Sequence, residues 1–179
     1  ALPISDTAGY AANSQGALGA DVMARITAVC AHPDAARTLR RKALDSIRKA
    51  LESACAGAGT GVEDIQAFMV VCNPAMHHLL LGLSTETLGV RPYEPLTVEP
   101  LLMDSQAVGL QSAGGAPVYM APLVAGHVGS DAVSGIAYVR RQYPDEALLY
   151  LDLGTNGEVA LISGEHVAVA STAAGPAFE

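Results

Sequence analysis

The seven residues from Asp152 to Glu158 (DLGTNGE) constrain the fold of this chain more than any other segment. The apolar run Ala147–Leu151 precedes them and the apolar run Val159–Ile162 follows them. This pattern predicts a buried strand that delivers an aspartate at its end, then a glycine-containing turn and a second strand. The glycines allow backbone angles closed to other residues and let the main chain approach a ligand closely.

One interpretation of this segment is a phosphate-binding loop. Freed N–H groups of the turn, with the Thr155 hydroxyl and the Asn156 amide, would surround phosphate oxygens as a nest. A carboxylate at the inner end of a buried strand is costly without a partner. Asp152 would therefore hold a magnesium ion, through water because Mg²⁺ dehydrates reluctantly.

The other interpretation is an ordinary β-hairpin. Asn156-Gly157 is itself the strongest short-range signal for a type I′ turn. A further hairpin is predicted where the turn Ser163–Glu165 joins the second strand to Val167–Ala170 (VAVA). On physical grounds alone the hairpin interpretation is at least level with the phosphate loop, so the choice stays open.

Upstream of this segment, helical and strand patterns alternate, which places the chain in the α/β class. Asp34 is the predicted N-cap of the second helix, and Asn73 caps a later helix that begins at Pro74. The predicted elements are helices at about 17–30 and 35–54, a buried parallel strand within Asp64–Cys72, the helix begun by Asn73-Pro74, extended connecting structure over 84–117, a short strand at Val118–Met120, and a helix entered through Gly126–Arg141.

The charge of the chain argues against a nucleic-acid partner. It carries 10 Lys and Arg against 18 Asp and Glu, a net charge of −8, whereas phosphate backbones require clustered basic groups. The basic cluster that does occur contains no aromatic residue and is interpreted as a solvated helix face, with a docking patch for an acidic partner as the alternative. It comprises Arg37, Arg40, Arg41, Lys42, Arg48 and Lys49.

Membrane segments and metal clusters are not predicted either. The apolar run Ala75–Leu83 is too short to span a bilayer, and Ala1–Asp6 lacks the regions of a signal peptide. Cys30, Cys55 and Cys72 show no metal-ligand spacing, so each is expected to be a small buried hydrophobe. We therefore expect a cytoplasmic protein with no membrane partner.

Four segments together resemble the ATPase domain of the reductive activators of corrinoid proteins, which belong to the acetate and sugar kinase/Hsp70/actin (ASKHA) superfamily. They are Gly19–Ile26 (GADVMARI), Cys72–Leu83 (CNPAMHHLLLGL), Val128–Asp131 (VGSD) and DLGTNGE with the later STAAGPAFE. The similarity runs in order from about Asn13 to Glu179. Cys72 departs from the pattern, because the family usually has Gly there.

The resemblance implies a partial actin-like ATPase fold. Residues 1–144 would supply helices and strands of the first lobe, and residues 145–179 the opening β-hairpin of the second lobe. The first phosphate loop would precede Ala1 and the adenosine pocket would follow Glu179, so we expect a fragment. The family's ferredoxin-type [2Fe–2S] domain would also lie outside this chain.

The resemblance also implies site residues for ATP and Mg²⁺. Asp152 would be a catalytic residue that holds Mg²⁺ through water, at the second phosphate loop. Asp131 would be a second catalytic carboxylate near the lobe hinge, where helix capping is an equally good interpretation. The implied nucleotide contacts are Gly154, Thr155, Asn156, Gly157, Glu158 and Gly175.

The implied function is ATP-dependent reductive activation, which returns the inactive Co(II) corrinoid of a methyltransferase system to Co(I). The corrinoid protein is the expected partner, with a homodimer as an open possibility. Two alternatives remain: a non-catalytic module for docking or dimerisation, and a small-molecule kinase of the same superfamily. Because the chain holds one wall of the cleft, we expect it alone to bind ATP weakly without hydrolysing it.

Other polar residues receive structural interpretations or stay open. His77 and His78 adjoin on a helix and cannot share a metal at i, i+4 spacing, so packing in the core is predicted. Asp21 is interpreted as structural. His127, in a glycine-flanked loop facing the predicted cleft, and Glu179 have no assigned role.

Overall fold

A computed structural model of the chain describes residues 7–32, 34–110, 115–154 and 156–173, which form a mixed α/β fold. No helix in these ranges is long and apolar enough to cross a membrane. The helices are α1 (Val22–Ala31), α2 (Ala35–Ala58), α3 (Pro74–Leu81), α4 (Glu86–Gly89), α5 (Ser105–Val108) and α6 (Ser130–Gln142). The strands are β1 (Phe68–Val70), β2 (Leu101–Asp104), β3 (Pro117–Met120), β4 (Leu148–Leu153), β5 (Asn156–Ser163) and β6 (His166–Ala173).

The first sheet has the strand order β1-β3-β2, with β1 parallel and β2 antiparallel to β3. Its buried face packs on α2 and α3 through Ala43, Leu80, Val108, Leu110, Val118 and Met120. The opposite face is open, since Met69 and Leu102 are 71% and 75% exposed. The prediction of a parallel β1 is therefore confirmed, but the expectation that its whole apolar run is buried is wrong.

The N-termini of α1 and α3 lie where an N-cap side chain accepts a hydrogen bond from the first turn of the helix. Asn73 caps α3, its side chain accepting a hydrogen bond from the Met76 N–H at 2.9 Å, as predicted. Asp21 caps α1, which therefore begins later than the predicted residue 17. Asp34 precedes α2 without a capping hydrogen bond, and its carboxylate lies 3.5 Å from the Arg37 guanidinium instead.

The second sheet is an antiparallel meander in the order β4-β5-β6. One face packs against α6 through Ile136, Ala160 and Ile162. Alternation along the strands places four leucines on the other face, each more than half exposed. We call Leu149, Leu151, Leu153 and Leu161 the exposed leucine patch.

Three further expectations are corrected by the structure. Residues 84–117 contain α4, β2 and α5 rather than extended structure alone. Cys30 is exposed, so its predicted burial is wrong, whereas Cys55 is buried. Within the basic cluster, Arg40 is not a purely solvated residue, because its guanidinium donates to the Leu80 and Val108 carbonyls at 2.8 and 2.9 Å.

Candidate functional site

A cavity of about 280 Å³ lies between the β4–β5 hairpin and the N-terminal ends of α1, α3 and α6. It brings together residues that are more than a hundred positions apart in the sequence. The lining residues are Ala20, Asp21, Val22, Arg25, Asn73, Asp131, Asp152, Gly154, Asn156 and Glu158. We call this space the carboxylate cavity.

The hairpin supplies a pair of carboxylates to this cavity. Its register places Asp152 directly opposite Glu158, and Leu153 opposite Gly157. Paired residues of antiparallel strands share a face, so the two carboxylates lie side by side. Like charges in this position repel each other, which favours a cation between them.

The connection between the two strands differs from both sequence interpretations. β4 continues through Asp152, so this residue lies within the strand and not at its end, and Asn156-Gly157 belongs to β5 and not to the turn. The hairpin is confirmed, but its turn lies between the end of β4 at Leu153 and the start of β5 at Asn156. The Gly154 N–H donates to the Asn156 carbonyl at 3.1 Å, so this amide is not free to receive phosphate.

Tyr150 fixes the orientation of Asp152. Its hydroxyl donates to Asp152 Oδ2 at 3.1 Å from two residues earlier on the same face of β4. A Cβ atom at Gly135 of α6 would overlap the Tyr150 ring and hydroxyl, so glycine is required for this close packing of ring on helix. Through this contact, α6 positions the β4 carboxylate.

Three helices begin at the carboxylate cavity. Asp21 and Asn73 are the N-caps of α1 and α3, and each accepts a hydrogen bond from its own first turn. Asp131 lies in the first turn of α6, whose N-cap, Gly129, has no side chain to cap it. Because each helix carries a partial positive charge at its N-terminus, this end of the cavity favours an anion.

Hydrogen bonds of a buried serine hold the N-terminus of α6 next to the N-terminus of α3. Ser130 is fully buried, and its Oγ accepts from the Cys72 N–H at 2.9 Å and donates to the Cys72 carbonyl at 3.1 Å. A Cβ at Gly129 would overlap the backbone of Cys72 and Asn73. Burial, with the nearby Asp131 charge, raises the pKa of Cys72 to about 12, so its thiol is neutral at physiological pH.

The cavity has an excess of acidic groups. Four carboxyl side chains line it, those of Asp21, Asp131, Asp152 and Glu158, against the single guanidinium of Arg25. Burial, and then the charges of Asp131 and Asp152, raise the pKa of Glu158 above its ordinary value. The carboxylates therefore act on one another, and a cation would relieve their repulsion.

The chemistry of these donors fits magnesium. Carboxylate oxygens are hard ligands, and Mg²⁺ usually retains several waters while using one or two carboxylates with substrate phosphates. In the described ranges, no three His, Cys, Asp or Glu side chains are grouped so that they could hold a metal ion. Asp152 and Glu158 are the residues that would hold a hydrated ion.

Most of the predicted site residues meet at this cavity. Asp152, Asp131, Gly154, Asn156 and Glu158 line it, and the buried Gly157 lies between the last two in β5. The predicted contacts Thr155 and Gly175, and also Glu179, lie outside the described residues. The roles of all these residues in binding stay predictions.

Sequence reasoning missed three contributors. Asp21 and Asn73 were assigned only a structural or capping role, which the structure supports, yet both also line the cavity. An N-cap marks a helix N-terminus, where anions bind, so both carried a usable signal. Arg25 received no role, although it lies within the GADVMARI segment.

The histidines lie elsewhere. His127 lines a different cavity of about 590 Å³, next to Val169–Ser171, and its ring lies 4.9 Å from that of Tyr93. His127 is therefore not among the residues that line the carboxylate cavity. His77 and His78 are completely buried, which confirms their predicted place in the core.

Known protein families match the chain along most of its length. Residues 6–142 match a family described as the RACo middle region. Residues 146–179 match the family described as the C-terminal domain of RACo, the ASKHA domain. The two matched ranges meet between α6 and β4.

Individual relatives are similar over nearly the whole chain. A corrinoid activation enzyme RamQ from Eubacterium limosum is 29% identical over 167 residues, which are 93% of this chain and 28% of the relative. A solved structure, described as a reductive activator for a corrinoid, iron–sulfur protein, superposes with a TM-score of 0.86 at 34% identity. It covers 93% of this chain, which in turn spans 27% of the solved chain.

Proposed function

This chain belongs to the RACo family, and from that premise we propose that it is part of an ATP-dependent reductive activator of a corrinoid protein. The full-length protein returns the inactive Co(II) corrinoid of a methyltransferase system to Co(I). This chain supplies one wall of the nucleotide site. The similarity to a corrinoid activation enzyme and to a reductive activator supports this role.

The proposal rests mainly on one observation: the same cavity favours a cation on one side and an anion on the other. Asp152 and Glu158 lie side by side and favour a cation, while the N-terminal ends of α1, α3 and α6 favour an anion. A divalent cation bound to phosphate meets both demands at once. Mg·ATP is the ligand of this kind that the family resemblance implies.

The residues of this chain act by positioning charge. Asp152, oriented by Tyr150, would hold a hydrated Mg²⁺ together with Glu158, and Asp131, which faces the same cavity from α6, would be the second catalytic carboxylate. Phosphoryl transfer depends mainly on such positioning and on electrostatic stabilisation. Mg²⁺, when bound, neutralises charge that develops on the phosphate oxygens.

Nucleotide would act on a two-lobed protein. We assign residues 1–144 to the first lobe and 145–179 to the second, so that the carboxylate cavity lies where they meet. A ligand that binds one arrangement of the lobes more tightly shifts their equilibrium. The electron would come through a [2Fe–2S] domain outside this chain, and the homodimer and the cytoplasmic location stay predictions.

The test is Co(I) formation by the full-length protein with its corrinoid partner and a low-potential reductant. Asp152→Asn is expected to lower the ATP-dependent rate at least about tenfold, because it removes a charge that holds the metal. Asp145→Asn is the matched control, since Asp145 is exposed and outside the cavity. A wild-type rate that does not depend on ATP, or full activity in Asp152→Asn, would contradict the proposal.

A further inference from the structure

Arg25 is a buried cation that forms no ion pair with any described residue of the carboxylate cavity. Its side chain is 9% exposed and lines the cavity from α1. Its Nε donates to the Gly19 carbonyl at 3.2 Å, and its Nη1 lies 4.0 Å from the Met76 sulfur. Within the described ranges, no carboxylate oxygen lies within 4.0 Å of this guanidinium, and Nη2 makes no hydrogen bond.

Arg40 is an example of an arginine whose hydrogen bonds to the main chain give it a structural role. Arg40 donates from both Nε and Nη2 to main-chain carbonyls, those of Leu80 and Val108, at 2.8 and 2.9 Å. Arg25 has one carbonyl acceptor and one weak sulfur acceptor. Burying a charge is unfavourable unless strong partners replace water. Arg25 therefore retains donors that a ligand in the cavity can use.

We propose that Arg25 contacts the anionic phosphate groups of the nucleotide and sets the preference of the site for polyphosphates over uncharged nucleosides. This inference rests on the proposed function. The planar guanidinium matches the oxygens of phosphate in a two-pronged hydrogen-bonding geometry. The N-terminus of α1, which begins three residues before Arg25, adds its partial positive charge on the same wall.

The charges of the cavity also define the form in which phosphate enters. Among the described lining residues, four carry carboxyl groups and one carries a guanidinium, so a bare phosphate would meet net negative charge. A phosphate that carries a divalent cation would present the cation to Asp152 and Glu158, and Arg25 would contact its remaining oxygens. The ligand class is accordingly a metal-bound polyphosphate, and binding at Arg25 should depend on Mg²⁺.

The experiment titrates the full-length protein with a non-hydrolysable ATP analogue and, separately, with adenosine, both with Mg²⁺. Arg25→Gln is expected to weaken binding of the analogue at least about tenfold. Adenosine binding should not change, because adenosine has no phosphate. Arg25→Lys, which keeps the positive charge but lacks the planar guanidinium, should recover part of the lost affinity.

Arg40→Gln is the matched control. It removes an arginine that donates two hydrogen bonds to main-chain carbonyls outside the cavity, so it should lower thermal stability without changing affinity for the analogue. Equal affinity of Arg25→Gln and wild type for the analogue would overturn the inference, as would an equal loss for adenosine. If circular dichroism shows that Arg25→Gln does not fold, Arg25→Lys and Arg40→Lys replace the two glutamine variants. A decrease in affinity for the analogue of at least about threefold in Arg25→Lys but not in Arg40→Lys supports the inference. Equal affinities of the two lysine variants overturn it.

The role of Arg25 and the proposed function predict different patterns of nucleotide binding. If wild type binds the analogue and Asp152→Asn does not, but Arg25→Gln binds like wild type, the role of Arg25 is wrong and the proposed function stands. If wild type does not bind the analogue in Mg²⁺, the proposed function is wrong and the role of Arg25 falls with it.

Discussion

Single residues determine which oxygen atoms the carboxylate cavity presents to a ligand. Tyr150 occupies Asp152 Oδ2 through a hydrogen bond of 3.1 Å, which leaves Oδ1 for a hydrated cation. The packing of the Tyr150 ring on Gly135 keeps this arrangement in place. The hydroxyl of Tyr150 is thus expected to act through Asp152 and not on the ligand itself.

We predict that Tyr150→Phe raises the Mg²⁺ concentration for half-maximal nucleotide binding by about threefold to tenfold. The reason is that a hydrogen bond to a charged group contributes about 1 kcal/mol or somewhat more. Titrating Mg²⁺ at fixed nucleotide concentration in the full-length protein measures this. Tyr138→Phe, on an α6 residue that is 66% exposed, is the control, and equal Mg²⁺ dependence in both variants would refute the role of Tyr150.

His77 makes the chain sensitive to acid. Both of its ring nitrogens are buried without a hydrogen-bond partner, and burial, with the neighbouring His78, lowers the pKa of His77 to about 4 from 6.5. The unfolded chain therefore takes up a proton between pH 6.5 and pH 4 while the folded chain does not. Stability from this group is complete above pH 6.5 and is lost as the pH falls towards 4.

We predict that the free energy of unfolding of the chain falls by about 2 kcal/mol between pH 7 and pH 5 through His77 alone. His77→Leu should remove this part of the loss, because an apolar side chain of similar volume has no proton to gain. Urea denaturation at the two pH values gives the comparison. The same pH dependence in wild type and His77→Leu would count against this cause.

At the scale of helices and strands, capping decides where α3 begins and so where Asn73 meets the cavity. We predict that Asn73→Ala lowers the free energy of unfolding by about 1 kcal/mol, because the Met76 N–H loses its acceptor. Asp34→Ala at the start of α2 should cost less than about 0.5 kcal/mol, because Asp34 makes no capping hydrogen bond and its ion pair with Arg37 is exposed. Chemical denaturation measures both variants, and equal losses would show that the capping bond is not the cause.

The elements predicted correctly are those specified by local rules. The cap at Asn73, the helical periodicity of α2 and the alternation of β5 and β6 all act over a few residues. α4, β2 and α5, of four residues each, are too short to show a period and depend on tertiary packing. The position of the β4–β5 turn was missed because Asn-Gly is a strong turn signal that the strand pairing overrides here.

The candidate site was only partly predictable for a related reason. Asp152, Asn156 and Glu158 follow one another in a short motif, so the sequence indicates them directly. Asp21 and Arg25 reach the same cavity from a helix more than a hundred residues earlier. Nothing in their local pattern shows that α1 faces the β4–β5 hairpin, since that arrangement depends on the packing of both sheets.

On the scale of the whole chain, α6 links the two halves of the fold. Its N-terminus is held by Cys72, two residues after the end of β1, and its Ile136 packs on the second sheet. The carboxylate cavity lies where these halves meet, so a change in their relative position would change its shape. Both sheets also keep an open apolar face, at Met69 and Leu102 and at the exposed leucine patch.

We predict that the isolated chain self-associates through the exposed leucine patch, because contiguous exposed apolar surface favours association. The double variant Leu149→Lys, Leu151→Lys should reduce the associated fraction measured by sedimentation velocity. Tyr138→Lys removes a similarly exposed side chain of α6 that is not part of the patch and should have little effect. Unchanged association of the double variant would rule out the patch as the contact.

The central claim, that the carboxylate cavity binds a metal-bound phosphate, is tested most directly by the effect of Mg²⁺ on nucleotide affinity. Isothermal titration of the full-length protein with a non-hydrolysable ATP analogue, with and without Mg²⁺, should show at least about tenfold tighter binding with the metal. Asp152→Asn should lose that gain, while Asp145→Asn keeps it. Affinity that is independent of Mg²⁺ in wild type, or an undiminished Mg²⁺ effect in Asp152→Asn, would contradict the claim.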